Sequence, residues 1–397
     1  MRFSTLFAIA CPLLASAHPV LKTRANTAAV SAVLRFAELL EQLEKEFYTQ
    51  ALQKFQPSDF TAAGLSVPDV AIQGFKDILE HESAHVTVLD QALEDNGDKP
   101  ISGCTFNFEP VLTDVATMAA VARVVEHVGV GAYLGGADIL DDKTFLAAAA
   151  TILTVEARHQ SFLNIISGAT TVPQGFDVAL SPPDVLSIAG AFVSGCDPAA
   201  ELGLPPANPP LAVTNQGVIA PGTRLEFSSP ALNETSLASA SCQMLVGGQA
   251  FSLSFPANEC IVPEGIDGPV WIWLTTDEQP LAADIHVRAS SNILAGPTAA
   301  FLDTKTSALG ALIRNNGAGF GSSETISPSE AQDQLSSATE TATETAPATE
   351  TATVTEAPNA TFSTAPAAVT TPAAASSGGS GGATPPIRVI GVGVIPA

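Results

Sequence analysis

The sequence predicts an all-α four-helix bundle, then an all-β, sandwich-like domain, then a disordered Ser/Thr/Ala/Pro-rich tail. Three observations carry this prediction. Four stretches in the first half repeat apolar residues with a helical period and are separated by breakers. Beyond Pro205-Pro206 the pattern shortens to alternating, β-rich runs set off by Gly, Pro and Asn. From Ser322 onward the chain lacks the apolar content that a core requires.

Before the bundle, Arg2, the apolar run 6–14 and the small residues Ala15-Ser16-Ala17 have the layout of a secretory signal over 1–17. The mature chain is then expected to begin near His18. The bundle is expected over 25–200, with helices near 27–55, 68–95, 112–138 and 142–168. Pro68 suits a first helical turn, where its missing N–H leaves no bond unmade, and Asn96-Gly97-Asp98 is a stop. Thr113 or Asp114, and Asp141-Asp142, offer side-chain oxygens to the free N–H groups of the next two helices. A short fifth helix is expected over 182–194, opening at Ser181 and closing at Gly195-Cys196.

The β-sandwich-like domain is expected over 205–305, with strands such as 249–255 and 270–275. Residues 306–321 read as a linker, and 322–397 as a disordered, O-glycosylated stalk with Thr-Glu-Thr repeats in 339–351. The end of the chain runs from small residues at 376–382 into 387–397. That is the outline of a GPI-anchor signal, but the tail is short and interrupted by Arg388. The sequons at Asn233 and Asn359 fit a secretory route.

Loss of the leader removes Cys11 and leaves Cys104, Cys196, Cys242 and Cys260, an even set that suits two disulfides in an oxidising compartment. Of the three connectivities, Cys104–Cys196 with Cys242–Cys260 is preferred, because each bridge then stays inside one expected domain. Forty acidic against sixteen basic residues, with no basic cluster, argues against nucleic acid and anionic lipid as partners and favours metal cations. No apolar run after the leader approaches the ~20 residues that span a bilayer, so no transmembrane segment is expected.

The chemistry-bearing residues lie on the four helices. Glu82 and His85 stand three apart on the second, and Glu156 and His159 repeat the spacing on the fourth, so each pair shares a helix face and can grip one ion. A single Glu-x-x-His is weak. Here the flanks also match: Ile78-Leu79 and Leu89 around one pair answer Ile152-Leu153 and Leu163 around the other. The first and third helices correspond too, since Leu39-Leu40-Glu41 followed by Tyr48 aligns without gaps on Val124-Val125-Glu126 followed by Tyr133. In each helix the Tyr follows two turns after its Glu and should lie above it.

The resulting set is Glu41, Glu82/His85, Glu126 and Glu156/His159, the ligand pattern of di-iron and di-manganese bundles. Carboxylate oxygens neutralise and bridge two divalent ions, and one imidazole per metal leaves positions open for oxygen species. The expected cofactor is therefore two divalent transition-metal ions, iron or manganese. The ligand positions share a stripe with Ile152, Phe162, Leu163 and Ile166, where an uncompensated carboxylate costs several kcal/mol.

Glu44 is expected as a neighbour of the ligands or as a fallback ligand, because its counterpart on the third helix is Gly129. Tyr48 and Tyr133 are expected to hydrogen-bond ligand carboxylates. Glu38 and Glu80 are expected to be solvated. His81 and His127 adjoin ligands, point about 100° away from them and should face elsewhere. No Gly-x-Ser-x-Gly elbow, phosphate-binding Gly-rich loop or Cys-x-x-Cys competes with this set.

With 40–48 (Leu-Glu-Gln-Leu-Glu-Lys-Glu-Phe-Tyr), 81–85 (His-Glu-Ser-Ala-His) and 126–133 (Glu-His-Val-Gly-Val-Gly-Ala-Tyr) in view, the chain resembles the ferritin-like fungal Rds1 stress-response proteins and plant desiccation-related proteins. Cys104-Thr-Phe-Asn-Phe and Ala295-Gly296-Pro297 extend the likeness, which covers about 25–305 and not the stalk. The resemblance implies a ferritin-like fold and a secreted or cell-surface, stress-linked protein, without supplying a reaction.

The leading expectation is a secreted metal-binding protein that is redox-active towards a small oxidant such as peroxide, or towards Fe(II). The rival is a non-catalytic cell-wall or desiccation-protective protein that uses the bundle as a scaffold and the stalk for attachment. Carbohydrate or adhesin binding by the β-domain is a third reading, resting on architecture alone.

Overall fold

The structure, a computed structural model, describes residues 28–140, 142–215, 217–305 and 307–314. The expected leader, stalk, C-terminal signal, Asp141 and the Asn359 sequon lie outside the described residues.

Four long helices form the bundle: α1 (Ala28–Lys54), α3 (Pro68–Asp95), α4 (Val115–Ile139) and α5 (Lys143–Ile166), with the short α2 (Pro57–Ala62) after α1. Helix α1 packs on α3, α4 packs on α5, and α1–α4 and α3–α5 contacts close the square. Their ends follow the local chemistry. Pro68 opens α3, and α3 stops at Asn96 before Gly97, whose φ of 77° carries the chain out of the helix. Asp114 Oδ1 accepts from Thr117 N at 2.8 Å, and Asp142 Oδ1 from Thr144 N at 2.8 Å, each satisfying a free helical N–H.

The segment after α5 departs from the expected helix over 182–194. Helix α6 (Pro182–Ala189) opens on a Ser181–Asp184 capping box and gives way at Gly190 to a three-ten turn. The chain then extends as β2 (Val193–Ser194), which pairs antiparallel with β1 (Thr105–Phe106) beside the Cys104–Cys196 disulfide. Pairing to β1 and the adjacent bridge hold this stretch extended. Gly195 has φ of 81°, and a Cβ there would lie 2.4 Å from the Gly103 carbonyl, so only glycine lets the two strands approach.

Beyond α7 (Pro198–Leu202) come β3 (Ala212–Val213), β4 (Phe227–Ser228), α8 (Glu234–Ser239), β5 (Ser241–Val246), β6 (Leu253–Pro256), β7 (Gly268–Thr275), β8 (Ile293–Leu302) and α9 (Ala308–Arg314). Where a sandwich is expected, the described residues form one antiparallel sheet in the order β6-β5-β7-β8 and a separate β3-β4 ribbon. The reason lies in β7, whose residues are all buried. Trp271 and Trp273 on one face join the core of the bundle, while Val270, Ile272 and Leu274 on the other pack with Leu211, Val213 and Leu225. The sheet is thus a middle layer, with the bundle on one side and the β3-β4 ribbon, α8 and loops on the other, and it shares a core with the bundle.

Two buried cations tie these layers together. Arg123 of α4 forks onto Asp303 at 2.7 and 2.8 Å and donates to Asn164 of α5. Arg288 donates to Asp184 of α6 at 2.9 Å, and the same carboxylate accepts from Trp273 Nε1. Cys242 and Cys260 form the second disulfide. Among the described residues, α4 is the one helix long and apolar enough to cross a membrane, and most of it is buried within the protein.

Candidate metal centre

The four long helices deliver carboxylates and imidazoles to one point at the middle of the bundle. Glu41 on α1, Glu82 and His85 on α3, Glu126 on α4, and Glu156 and His159 on α5 converge there, and all four glutamates have no exposed surface. They occupy the inward stripe that apolar residues hold elsewhere: on α1, Val30, Leu34 and Tyr48 are buried in step with Glu41.

The geometry falls into two overlapping groups. Glu41, Glu82, His85 and Glu156 form one, and Glu82, Glu126, Glu156 and His159 the other; within each, one donor atom per residue lies within 4.8 Å of every other. Glu82 and Glu156 are common to both. His85 Nδ1 lies 3.0 Å from Glu41, 3.1 Å from Glu82 and 3.3 Å from Glu156. His159 Nδ1 lies 2.9 Å from Glu82 and 3.2 Å from Glu126. The two halves are related by an approximate two-fold exchange of α1 with α4 and α3 with α5.

The tyrosines follow the same exchange, but crosswise. Each was expected above the Glu of its own helix; instead Tyr48 of α1 donates to Glu126 of α4, and Tyr133 of α4 donates to Glu41 of α1. Two turns of helix carry a long aromatic side chain across the bundle to the opposing helix. Burial first, and then the neighbouring carboxylates, hold both phenols well above their ordinary pKa, so they remain donors.

The charge balance is severe. Burial disfavours an imidazolium at His85, yet the carboxylates of Glu156, Glu41 and Glu82 outweigh it and raise its pKa to about 12. At His159 burial is likewise overcome by Glu126 and Glu82, giving about 11. Burial and then the like charges of Glu82, Glu126 and Glu41 push Glu156 well above the carboxylate range. Burial also opposes ionisation of Glu82, but its bonds with His159, His85 and Glu41 bring it down to about 2. Protons on the two imidazoles therefore supply positive charge that five converging acids demand.

Glu44 is the fifth acid. It is buried, and burial followed by repulsion from Glu156, Glu41, Glu126 and Glu82 raises its pKa well above the ordinary value. Gly129 makes room for it: a Cβ there would lie 2.8 Å from Glu44 Oε1 and 3.0 Å from Glu156 Oε2. The glycine opposite Glu44 in the repeat is thus the space that Glu44 fills.

A divalent cation fits this donor set. Glu82 Oε1 and Glu156 Oε1 face imidazole nitrogens at 2.9 and 3.3 Å out of hydrogen-bond alignment, and Glu156 Oε2 is buried with no hydrogen-bond partner, a state that a cation relieves. Carboxylate oxygens with one imidazole per group suit iron, manganese or zinc over calcium or magnesium.

Two neighbours depart from expectation. His81 does not face away: although exposed, its Nδ1 meets His159 Nε2 at 3.0 Å and its ring stacks on that of His159. The i, i+4 spacing of His81 and His85 on one face is the signal for it. Glu38 is buried and not solvated, because it continues the Leu34–Glu41 stripe of α1. Glu80 is exposed as expected. His127 does face away from the acids, stacking on Trp271 at 4.6 Å, and burial with Arg123 nearby lowers its pKa to about 3.

Residues 29–169 match the family model of a ferritin-like domain. The match runs from the start of α1 to just beyond α5 and so contains every member of the acid–histidine cluster. The ferritin-like domain ends before α6 and the sheet, which lie outside the match. No curated protein matches the chain.

Proposed function

We propose that the chain is a ferritin-like two-metal protein in which Glu41 and His85 would hold one ion and Glu126 and His159 the other, with Glu82 and Glu156 available to both. The observation that carries this is the overlap: Glu82 and Glu156 belong to both donor groups, and Glu156 Oε2 is buried there with no hydrogen-bond partner. His85 and His159 present Nδ1 to the carboxylates, and His81 meets Nε2 of His159, as a group that orients a metal-bound imidazole does. Tyr48 and Tyr133 hold the two terminal carboxylates by their hydroxyls, fixing which oxygen turns inward.

Iron or manganese bound there would supply redox chemistry towards a small oxidant such as peroxide, or towards Fe(II). The chain's own part is to hold the ions among buried carboxylates and to limit water. The expected leader, the two disulfides and the exposed Asn233 sequon support an extracellular setting; the stress link and a stalk meeting the cell wall follow from the resemblance and from the tail composition.

The test is metal content. Mature protein prepared with iron or manganese should carry about two ions per chain, and Glu156→Ala should lose one or both. Wild-type protein that emerges metal-free, and titrates like the variant, sinks this reading and favours a non-catalytic structural protein built on the same scaffold.

A further inference from the structure

On one side of the carboxylates the bundle is tightly filled by Phe47, Tyr48 and Phe75. On the other side it is not. There the four long helices, Leu180 with the start of α6, and Leu204 line a cavity of about 260 Å³.

Its lining side chains are apolar, Phe36, Leu89, Phe145 and Ile152 among them, and the one polar side-chain group is the hydroxyl of Tyr133. That hydroxyl is already committed to Glu41. Water needs two to four polar partners to occupy a cavity, so this one is dry when nothing else fills it. It is larger than the roughly 150 Å³ apolar cavity that takes up benzene. A void of this size lowers stability in proportion to its volume, a cost that an apolar guest removes.

Position matters as much as size. Leu40 precedes Glu41, Leu89 lies one turn beyond His85, and Ile152 one turn before Glu156, so the inner end abuts the acid–histidine cluster. Ala29 and Ile139, at the far ends of α1 and α4, are exposed and mark the mouth. Most of the large wall side chains are buried, so this is a recess into the bundle and not an outer face for a second protein.

We propose that this cavity is the binding site of an uncharged, hydrocarbon-rich small molecule, of alkyl, aryl or terpenoid type, whose inner end lies against the Tyr133 ring. Binding needs no metal. The role of that molecule as substrate rests on the two-metal reading, and as substrate it would approach the ions from the Tyr133 side.

Phenylnaphthylamine, whose fluorescence rises in apolar sites, is the probe, titrated into the full mature chain both metal-loaded and stripped by a chelator. Saturable uptake of one probe per chain is expected, displaced by medium-chain alkanes. Ala149→Phe on the wall should weaken it by about tenfold or more, with Ala37→Leu as a second filling variant. Ala150→Phe, exposed on the same helix and outside the wall, should leave it unchanged. Absence of saturable uptake, or equal uptake in the filling and exposed variants, overturns the proposal. Uptake by stripped protein that also fails to take up metal would sustain the cavity while refuting the two-metal reading.

Discussion

Tyr48 on α1 gives its hydroxyl proton to Glu126 on α4, and Tyr133 returns the bond to Glu41 on α1. The pair works as a crossed brace. Each phenol fixes one terminal carboxylate, and the two bonds are equivalent under the two-fold relation of the helices. Tyr48→Phe and Tyr133→Phe should each lower metal affinity about 10- to 100-fold, the usual consequence of removing a group that orients a ligand. Competition titration against a chelator measures it. Unchanged affinity in both variants would show that the carboxylates need no brace.

Gly129 offers a sharper test of packing. An added Cβ meets Glu44 and Glu156 closer than ordinary contact allows, and Glu44 is the freer to yield because Glu156 is shared by both donor groups. Gly129→Ala should destabilise by about 1–3 kcal/mol through overpacking. Glu44→Ala in the same chain should recover most of that loss by removing the clash and one buried acid. Thermal unfolding of the single and double variants gives the coupling; simple additivity would mean that the two residues do not share the space.

Metal uptake should be linked to protons, with a definite sign. His85 and His159, raised to about 12 and 11, are protonated at neutral pH when no metal is bound, and burial with mutual repulsion pushes Glu156 and Glu44 towards the protonated form. A metal needs the imidazole Nδ1 lone pairs and ionised carboxylates, so binding expels protons. Both imidazoles keep their protons to about 11 without a metal, so affinity should rise with pH throughout the neutral range. Calorimetry in buffers of different ionisation enthalpy should find more than two protons released as both sites fill. A pH-independent affinity would contradict the assignment of His85 and His159 as ligands.

Much of the helical half is legible in the sequence because its signals are local. Pro68, Asp114 and Asp142 sit at helix starts, and Glu-x-x-His at i, i+3 needs only a helix to bring its members together. What depends on a second element is less legible. Which carboxylate a tyrosine reaches is set by the spacing between α1 and α4, so the crossed bonds are invisible in a gapless repeat within each chain segment. The His81–His159 contact likewise requires α3 and α5 side by side. The sheet was harder still: the alternation in β7 is apolar on both faces, which marks burial on two sides without saying that helices supply one of them.

Glu38 shows how one residue on the inward stripe of α1 sets a pH dependence apart from the metals. Burial first, and then Asp90, raises its pKa from 4.5 to about 7, while Gln42 Nε2 donates to it and partly offsets the rise. A carboxyl whose folded pKa is raised is neutral in both states below about 4.5, so it then carries no charge penalty. As pH climbs to 7 and beyond, the folded protein must either keep the proton or bury a charge, and the stability present at low pH is lost. Glu38→Gln keeps an acceptor for Gln42 and cannot ionise. It should match the wild type at pH 4 and exceed it at pH 8 by on the order of 2 kcal/mol, with metal content unaltered. Melting curves of the two proteins across that range decide it: a difference that does not grow between pH 4 and 8 would place the Glu38 carboxyl in contact with water.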